Sequence, residues 1–192
     1  SSDENFDKRS LAEFYSDKKK ENPNIVVRMY PADNLSNNEL IPLSGISNSM
    51  TIHCNESGYF SLYMSDRYGF NNPDEIWDNK DIEYFLVGDS FLHGECVNRP
   101  NDLGSLLRSL SKKDVLNLGY GGNGPLLQYA TIKEYLRSDI KKVIWIYYSG
   151  NDLRNLDSEL KSNILSKYFS DINFSQNLIN YQNKSNNLLK DL

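Results

Sequence analysis

The sequence predicts an α/β fold in which a parallel sheet is covered by helices on both faces, a three-layer α/β/α sandwich. Three apolar runs of strand length, residues 82–87, 115–118 and 142–148, each end in a turn that contains Gly together with Asp or Asn. Segments with helical character separate these runs along the chain. Strands that alternate with helices form parallel sheets with right-handed crossovers. The three runs are therefore expected to lie side by side.

Residues 1–80 are expected to form a lead-in segment that packs on the main domain of residues 81–192. The lead-in is rich in polar and turn-forming residues, and its apolar residues are grouped in short stretches. Pro23 marks the end of its first charged stretch. Four elements are expected within it: a helix over residues 7–21, a short strand over 24–30, an irregular connection over 31–50, and a hairpin or extended arm over 51–64.

The main domain begins with an apolar, β-branched and aromatic run that Gly88 stops. The run at residues 142–148 has almost no polar alternation, which is typical of a strand buried on both faces. Helices are expected over residues 101–110, with Leu103, Leu106, Leu107 and Leu110 on one face, over residues 125–137, and in one or two Leu-bearing segments of residues 153–192 that fray into a polar tail.

Composition bounds the class of protein. The 192 residues fit one domain, and 39% apolar with 12% aromatic residues support a core. A net charge of -5 and a pI near 5.1 disfavour a nucleic-acid or anionic-membrane surface. We expect no membrane span, because no apolar stretch approaches the roughly 18 to 20 residues that one needs. No signal-peptide pattern opens the sequence. The compartment, whether cell envelope or cytoplasm, is left open.

Two cysteines and two histidines are the only residues of their kinds in the sequence. Cys54 and Cys96 could pair in an oxidising compartment, yet two cysteines do not make a disulfide framework. Together with His53 and His93 they supply four soft zinc ligands. Adjacent residues such as His53 and Cys54 point apart in a strand, and the usual Cys-x-x-Cys pairs are missing. We therefore expect no metal and no cofactor.

The three strand ends together carry the groups that acyl transfer requires. This reaction needs a nucleophilic hydroxyl and preorganised donors facing the oxygen that becomes negative. Ser90 would supply the nucleophile and its own N–H, Gly122 a second backbone N–H, and Asn151 a side-chain amide. Each has a plain alternative, since Ser90 could cap a helix, Gly122 could serve a turn, and Asn151 could form an Asx turn. Their occurrence on three consecutive strand ends favours the catalytic interpretation.

The same residues resemble the SGNH hydrolase family, the GDSL-type esterases and lipases. Gly88-Asp89-Ser90-Phe91 resembles the first sequence block of the family, residues 117–123 the second, and Gly150-Asn151-Asp152 the third. Ser149 stands where the third block usually has Gly. The resemblance covers roughly residues 67–155. It implies a flavodoxin-like parallel sheet and a serine esterase that acts on a small-molecule or glycan ester, with Ser90 as nucleophile and Ser90, Gly122 and Asn151 as the oxyanion hole.

The fourth block of the family, Asp-x-x-His, supplies the general base and is absent from these 192 residues. His93 follows Ser90 by three residues, where its ring would have difficulty reaching back to the hydroxyl. His53 could approach only if the lead-in crosses the site. We therefore expect the sequence to be a fragment whose fold is incomplete at the C-terminus, with the base beyond Leu192.

Two rival functions are kept. Gly119-x-Gly121-x-x-Gly124 fits the dinucleotide fingerprint, since it follows a strand and opens a helix. Pro125 at the start of that helix removes one N–H that would face a phosphate. The other rival is a non-catalytic module of the same fold that binds a glycan or another ester without cleaving it. The substrate itself and the oligomeric state are not indicated by the sequence.

Overall fold

The computed structural model describes residues 6–190, which form six strands and seven α-helices. The strands are β1 (Val26–Val27), β2 (Met50–Ile52), β3 (Leu62–Met64), β4 (Tyr84–Val87), β5 (Val115–Asn117) and β6 (Lys142–Trp145). The helices are α1 (Leu11–Glu21), α2 (Ser90–His93), α3 (Leu103–Ser111), α4 (Pro125–Tyr135), α5 (Asp152–Glu159), α6 (Asn163–Ser170) and α7 (Gln182–Lys190). The chain is therefore mixed α/β, as predicted.

The three predicted strands of the main domain form one parallel sheet in the order β5-β4-β6. Phe85 of the central strand pairs with Leu116 on one side and Val143 on the other. The predicted side-by-side arrangement is confirmed. Because all three strands run the same way, their carboxyl ends reach the same edge of the sheet.

The prediction that the third strand is buried on both faces is wrong. All four residues of β6 are exposed, with Val143 44% and Trp145 44% accessible. β6 lies at the edge of the sheet, and among residues 6–190 only β4 pairs with it. The apolar run at residues 142–148 reflects β-propensity, whereas burial depends on neighbours that the run itself does not specify.

The lead-in segment forms a second, smaller sheet in the order β1-β2-β3. β1 and β2 are parallel, and β2 and β3 form an antiparallel hairpin, one of the two alternatives predicted for residues 51–64. α1 begins at a capping box, in which the Ser10 hydroxyl accepts from the Glu13 N–H and the Glu13 carboxylate accepts from the Ser10 N–H. A small apolar cluster joins this helix to the sheet through Phe14, Ile25 and Ile52.

The main hydrophobic core draws on both parts of the chain. Phe85 and Leu116 of the parallel sheet are completely buried in it. Ile41, Phe70 and Trp77, which precede the sheet, belong to the same cluster. The second half of the lead-in is thus part of the packing that supports the strand ends.

The two cysteines pair with each other. The disulfide joins Cys54, just after β2, to Cys96, in the turn after α2, across a separation of 42 residues. It fastens the small sheet to the segment that follows Ser90. The sequence had left this pairing open.

Two helical segments differ from expectation. The leucine face of α3 is largely exposed, with Leu110 83% accessible, while Leu107 packs on the cluster of Leu86 and Val115.

Three helices follow Asn151 where one or two were expected. The polar tail includes α7, which is anchored because Leu189 is buried and the Asn186 amide donates to the Ser47 hydroxyl.

Candidate functional site

Backbone contacts hold the three strand ends together. The carbonyl of Val87 accepts from the Ile146 N–H at 2.8 Å, and the carbonyl of Gly88 accepts from the Tyr120 N–H at 3.1 Å. A Cβ atom on Gly88 would lie 3.0 Å from the carbonyl oxygen of Ile146, the residue that follows β6. Because the two backbone segments approach each other this closely, glycine is favoured at position 88. The segment that leads to Ser90 is thereby positioned between the other two turns.

Ser90 is the first residue of α2, a helix of only four residues. Asp89 caps this helix by accepting the Phe91 N–H at 3.1 Å. Ser90 is half-buried, and its hydroxyl forms no hydrogen bond with any residue in 6–190. A hydroxyl placed at a strand end without a protein partner is available to a ligand.

The turn after β5 is held by buried polar contacts. The Asn117 side chain accepts from the Gly119 N–H at 3.0 Å and donates to the Leu92 carbonyl at 2.7 Å. The Gly121 N–H donates to His93 Nδ1 at 3.1 Å. The Gly122 N–H, in contrast, finds no acceptor within the described part of the chain. Gly122 has a φ of +82°, a conformation that a side chain would strain.

The lead-in segment crosses this turn. The ring of Tyr30 lies over Gly122, where a Cβ atom would come within 2.9 Å of it. Arg28 beside it forms an ion pair with Glu95 at 2.5 Å, and both side chains also border Gly121. No motif or periodicity in the sequence predicts that Arg28, Tyr30 and Glu95 lie beside the turn after β5.

Asn151 lies in the turn after β6, beside the cap of α2. Asp152 holds the turn by accepting the Tyr148 N–H at 2.8 Å, and the Asn151 amide is among the groups that lower the pKa of Asp89. Burial is the larger effect, and the pKa of Asp89 is raised. The buried Oδ1 of Asn151 has no hydrogen-bond partner among residues 6–190. The Asn151 side chain therefore lies near Asp89, the residue that precedes Ser90, but the two side chains are not hydrogen-bonded to each other.

His93 is occupied by the fold. Its Nδ1 accepts from a backbone N–H, so the remaining proton of the neutral ring is on Nε2, which lies 3.1 Å from the Tyr63 hydroxyl. The ring is fully buried, and burial lowers its pKa well below the usual value. His93 is therefore a structural residue that supports the turn after β5, and it has no free nitrogen for Ser90.

His53 packs against His93, with the ring centroids 4.3 Å apart. Burial, reinforced by the nearby Arg28 charge, lowers the pKa of His53 to about 3. Its ring nitrogens have no hydrogen-bond partner in the described chain, the Ser90 hydroxyl included. Neither histidine is thus hydrogen-bonded to the candidate nucleophile.

The zinc ligands considered from the sequence do not come together as a set. His53, Cys54 and Glu95 place one ligand atom each within 4.8 Å of one another. Cys54 is in the disulfide, however, and the Glu95 carboxylate is paired with Arg28. Both ring nitrogens of His93 are hydrogen-bonded. These contacts disfavour a metal at this cluster.

A carboxylate occupies the place where a dinucleotide phosphate would bind. At the start of α4, the Glu159 side chain accepts from the N–H groups of Gly124 at 2.7 Å and Leu126 at 2.8 Å. Burial raises the pKa of Glu159, while these bonds lower it. A phosphate would compete for the same donors and meet like charge. No sequence pattern indicates this capping residue, which lies more than 30 residues away along the chain.

A cavity of about 590 Å³ opens beside Ser90. Its walls come from the turn after β2, from α2 and the segment that follows it, and from the start of α3: Glu56, Ser90, Phe91, Gly94, Glu95, Val97, Asn101, Asp102 and Leu103. This volume lies in the range of small-molecule sites.

Searches against protein-family models, curated proteins and solved structures find no match for this chain. No helix within residues 6–190 is both long and apolar enough to cross a membrane.

Proposed function

We propose that this chain is a serine esterase of the SGNH hydrolase type, built on a three-layer α/β/α sandwich with a flavodoxin-like sheet. The observation that carries the proposal is the sheet order β5-β4-β6. It places the turns that contain Ser90, Gly122 and Asn151 on neighbouring strands, at the edge where ligands bind in open α/β sheets.

In this proposal the Ser90 hydroxyl attacks the ester carbonyl. The oxygen that becomes negative is stabilised by the N–H groups of Ser90 and Gly122 and by the Asn151 amide. The first N–H groups of a helix lack intrahelical acceptors, which suits the Ser90 N–H to this role. Collapse of the intermediate releases the alcohol and leaves the acyl group on Ser90. Water then releases the acid.

The proton of Ser90 needs a base other than His53 and His93. Both histidines are buried, and burial lowers the pKa of each. We propose that the base lies outside residues 6–190, as in the Asp-x-x-His block that the family resemblance implies. Without that base the Ser90 hydroxyl is a weak nucleophile.

The test uses residues 1–192 and 4-nitrophenyl acetate, with imidazole added as an external base. We expect imidazole to raise a turnover that Ser90→Ala lacks, and intact-mass spectrometry to detect an acetyl group on Ser90. Equal rates for the two proteins at every imidazole concentration, with no acetyl adduct, would overturn the proposal. Imidazole itself cleaves this ester, so only the difference between the proteins is interpreted.

A second function, binding an ester without cleaving it, is favoured by the engagement of both histidines in the core. The two functions differ in one measurement. That measurement is the acetyl adduct on Ser90, which a binding module would not form under any condition. An esterase would form the adduct and lose it in the variant.

A further inference from the structure

The cavity beside Ser90 has an apolar side. Phe91, Val97 and Leu103 line it and remain 59%, 36% and 45% exposed. Phe91 also packs edge-on against Tyr148 near the third strand end, with the centroids 5.0 Å apart. Exposed apolar side chains that converge in a concave site are typical of contact with an apolar ligand group.

The same cavity has an acidic side. Glu56, Glu95 and Asp102 line it, and its lining includes neither Lys nor Arg. Glu56 is exposed and has no ion-pair partner within residues 6–190. Glu95 is neutralised by Arg28. One buried oxygen of Asp102 lacks a hydrogen-bond partner among the described residues, but the charges of Arg99 and Arg108 lie close enough to interact with this carboxylate. The uncompensated charge that a ligand meets in this cavity is therefore the negative charge of Glu56.

We propose that the ester bound at Ser90 has an apolar acyl chain and an alcohol that carries no negative charge, with a cationic alcohol preferred. This proposal rests on the proposed esterase function and specifies its substrate class. The acyl chain lies along Phe91, Val97 and Leu103, and the alcohol faces Glu56. Esters with an anionic alcohol group are disfavoured because like charges repel in this partly enclosed site.

Binding to the non-hydrolysing Ser90→Ala protein tests the charge preference directly. Three hexanoyl esters of similar size serve as probes: hexanoylcholine, the neutral 3,3-dimethylbutyl hexanoate, and 2-sulfoethyl hexanoate. We expect calorimetry to show hexanoylcholine binding at least about tenfold more tightly than the sulfonate, with the neutral ester between them. Added salt should reduce the difference, since exposed charges are screened.

Two pairs of variants in the Ser90→Ala background locate the effect. Glu56→Gln should reduce the choline-to-sulfonate ratio about threefold, whereas Glu39→Gln, an exposed acid outside the cavity lining, should leave it unchanged. Leu103→Ala should weaken hexanoylcholine binding about fivefold more than acetylcholine binding. Leu110→Ala on the same helix is the control, because Leu110 does not line the cavity.

Two results would overturn the substrate assignment: equal or tighter binding of the sulfonate, or equal effects of Glu56→Gln and Glu39→Gln. The esterase function is judged separately, by Ser90-dependent acetylation in the presence of imidazole. Charge-selective binding without acetylation would reject the esterase and retain the ligand class. Acetylation without charge selectivity would reject the ligand class and retain the esterase.

Discussion

The turn after β5 and the turn after β6 flank Ser90 on opposite sides, yet their surroundings differ. Residues 118–121 and 123 of the first turn are buried, and His93, Asn117 and Tyr30 surround its glycines. Residues 147–150 of the second turn are exposed. Two hydrogen bonds between Tyr148 and Asp152 stabilise this second turn from within.

This difference comes from the lead-in segment. Arg28 and Tyr30 cover the turn after β5, and the Cys54–Cys96 disulfide ties the same segment to the residues after Ser90. No equivalent layer covers the turn after β6 within the described chain. In the proposed esterase, the Gly122 donor is therefore held rigidly, whereas Asn151 depends on a short exposed turn. The predictions that follow test this asymmetry.

The largest expected effect is on stability, from removing the disulfide. Closing a loop of 42 residues constrains the unfolded chain, which corresponds to about 4 kcal/mol of unfolding free energy. Cys54→Ala with Cys96→Ala should lower the free energy of unfolding in urea by about this amount. Amide hydrogen exchange should accelerate at residues 93–95 and 119–121, whose N–H groups are hydrogen-bonded, and stay unchanged at residues 149–152.

Reduction of the wild-type protein with a phosphine should reproduce the effect, and the double variant should not respond to the phosphine. Equal acceleration in both turns would contradict the asymmetry. It would mean that the disulfide stabilises the domain as a whole rather than the β5 side.

The next largest effect concerns turnover and the turn after β6. With imidazole as the external base, Asn151→Ala should lower Ser90-dependent ester turnover by roughly 100-fold to 1000-fold, the usual loss for one oxyanion donor. The free energy of unfolding should change little, because the buried Oδ1 of Asn151 has no hydrogen-bond partner among residues 6–190 that the substitution would remove. Asn163→Ala, at an exposed position on α6, is the matched control. Near-normal turnover would remove Asn151 from the site.

An acid-dependent effect is expected on the β5 side, through His53. The pKa of His53 is about 3 in the folded protein, below its ordinary value of 6.5. Protonation is thus easier in the unfolded chain, and the stability that neutral His53 provides is complete above about pH 6.5 and is lost as the pH falls toward 3. At pH 4.5 the loss should reach about 3 kcal/mol.

The check is urea unfolding of wild type and His53→Gln at pH 7 and pH 4.5. Asp66, whose pKa burial raises to about 6, changes stability in the opposite direction over part of this range. It is present in both proteins and cancels in the comparison. If the free energy of unfolding falls between pH 7 and pH 4.5 by no more in the wild type than in His53→Gln, protonation of His53 does not destabilise the fold.

Local sequence patterns were sufficient to predict the three parallel strands and the turns that end them. Apolar runs closed by Gly88, Gly119 and Gly150 indicate strand ends because glycine permits the sharp change of direction. For residues 51–64 the pattern predicted a hairpin or an extended arm, and β2 and β3 form the hairpin. The positions of Ser90, Gly122 and Asn151 on neighbouring turns follow from this local information, while their roles stay predictions.

Long-range contacts could not be read from the sequence. Glu159 caps α4 from the far end of α5, and Tyr30 reaches Gly122 across 92 residues of chain. Such contacts depend on how elements pack, which a local pattern does not encode. The exposure of β6 has the same origin, because an apolar run specifies a strand and not what covers it.

The smallest effects on the free energy of unfolding are expected from replacing one valine by alanine on each of the two outer strands of the parallel sheet. Val115 on β5 is completely buried, whereas Val143 on β6 is 44% exposed. Val115→Ala should cost about 2 kcal/mol, from lost burial and the cavity left behind, and Val143→Ala less than about 1 kcal/mol. Urea unfolding measures both. Because Val115 pairs with Tyr84 and Val143 with Phe85, the two variants perturb adjacent rungs of the same sheet. Equal costs would show that β6 is as firmly packed as β5, and the contrast between the two turns would then have to arise within the turns themselves.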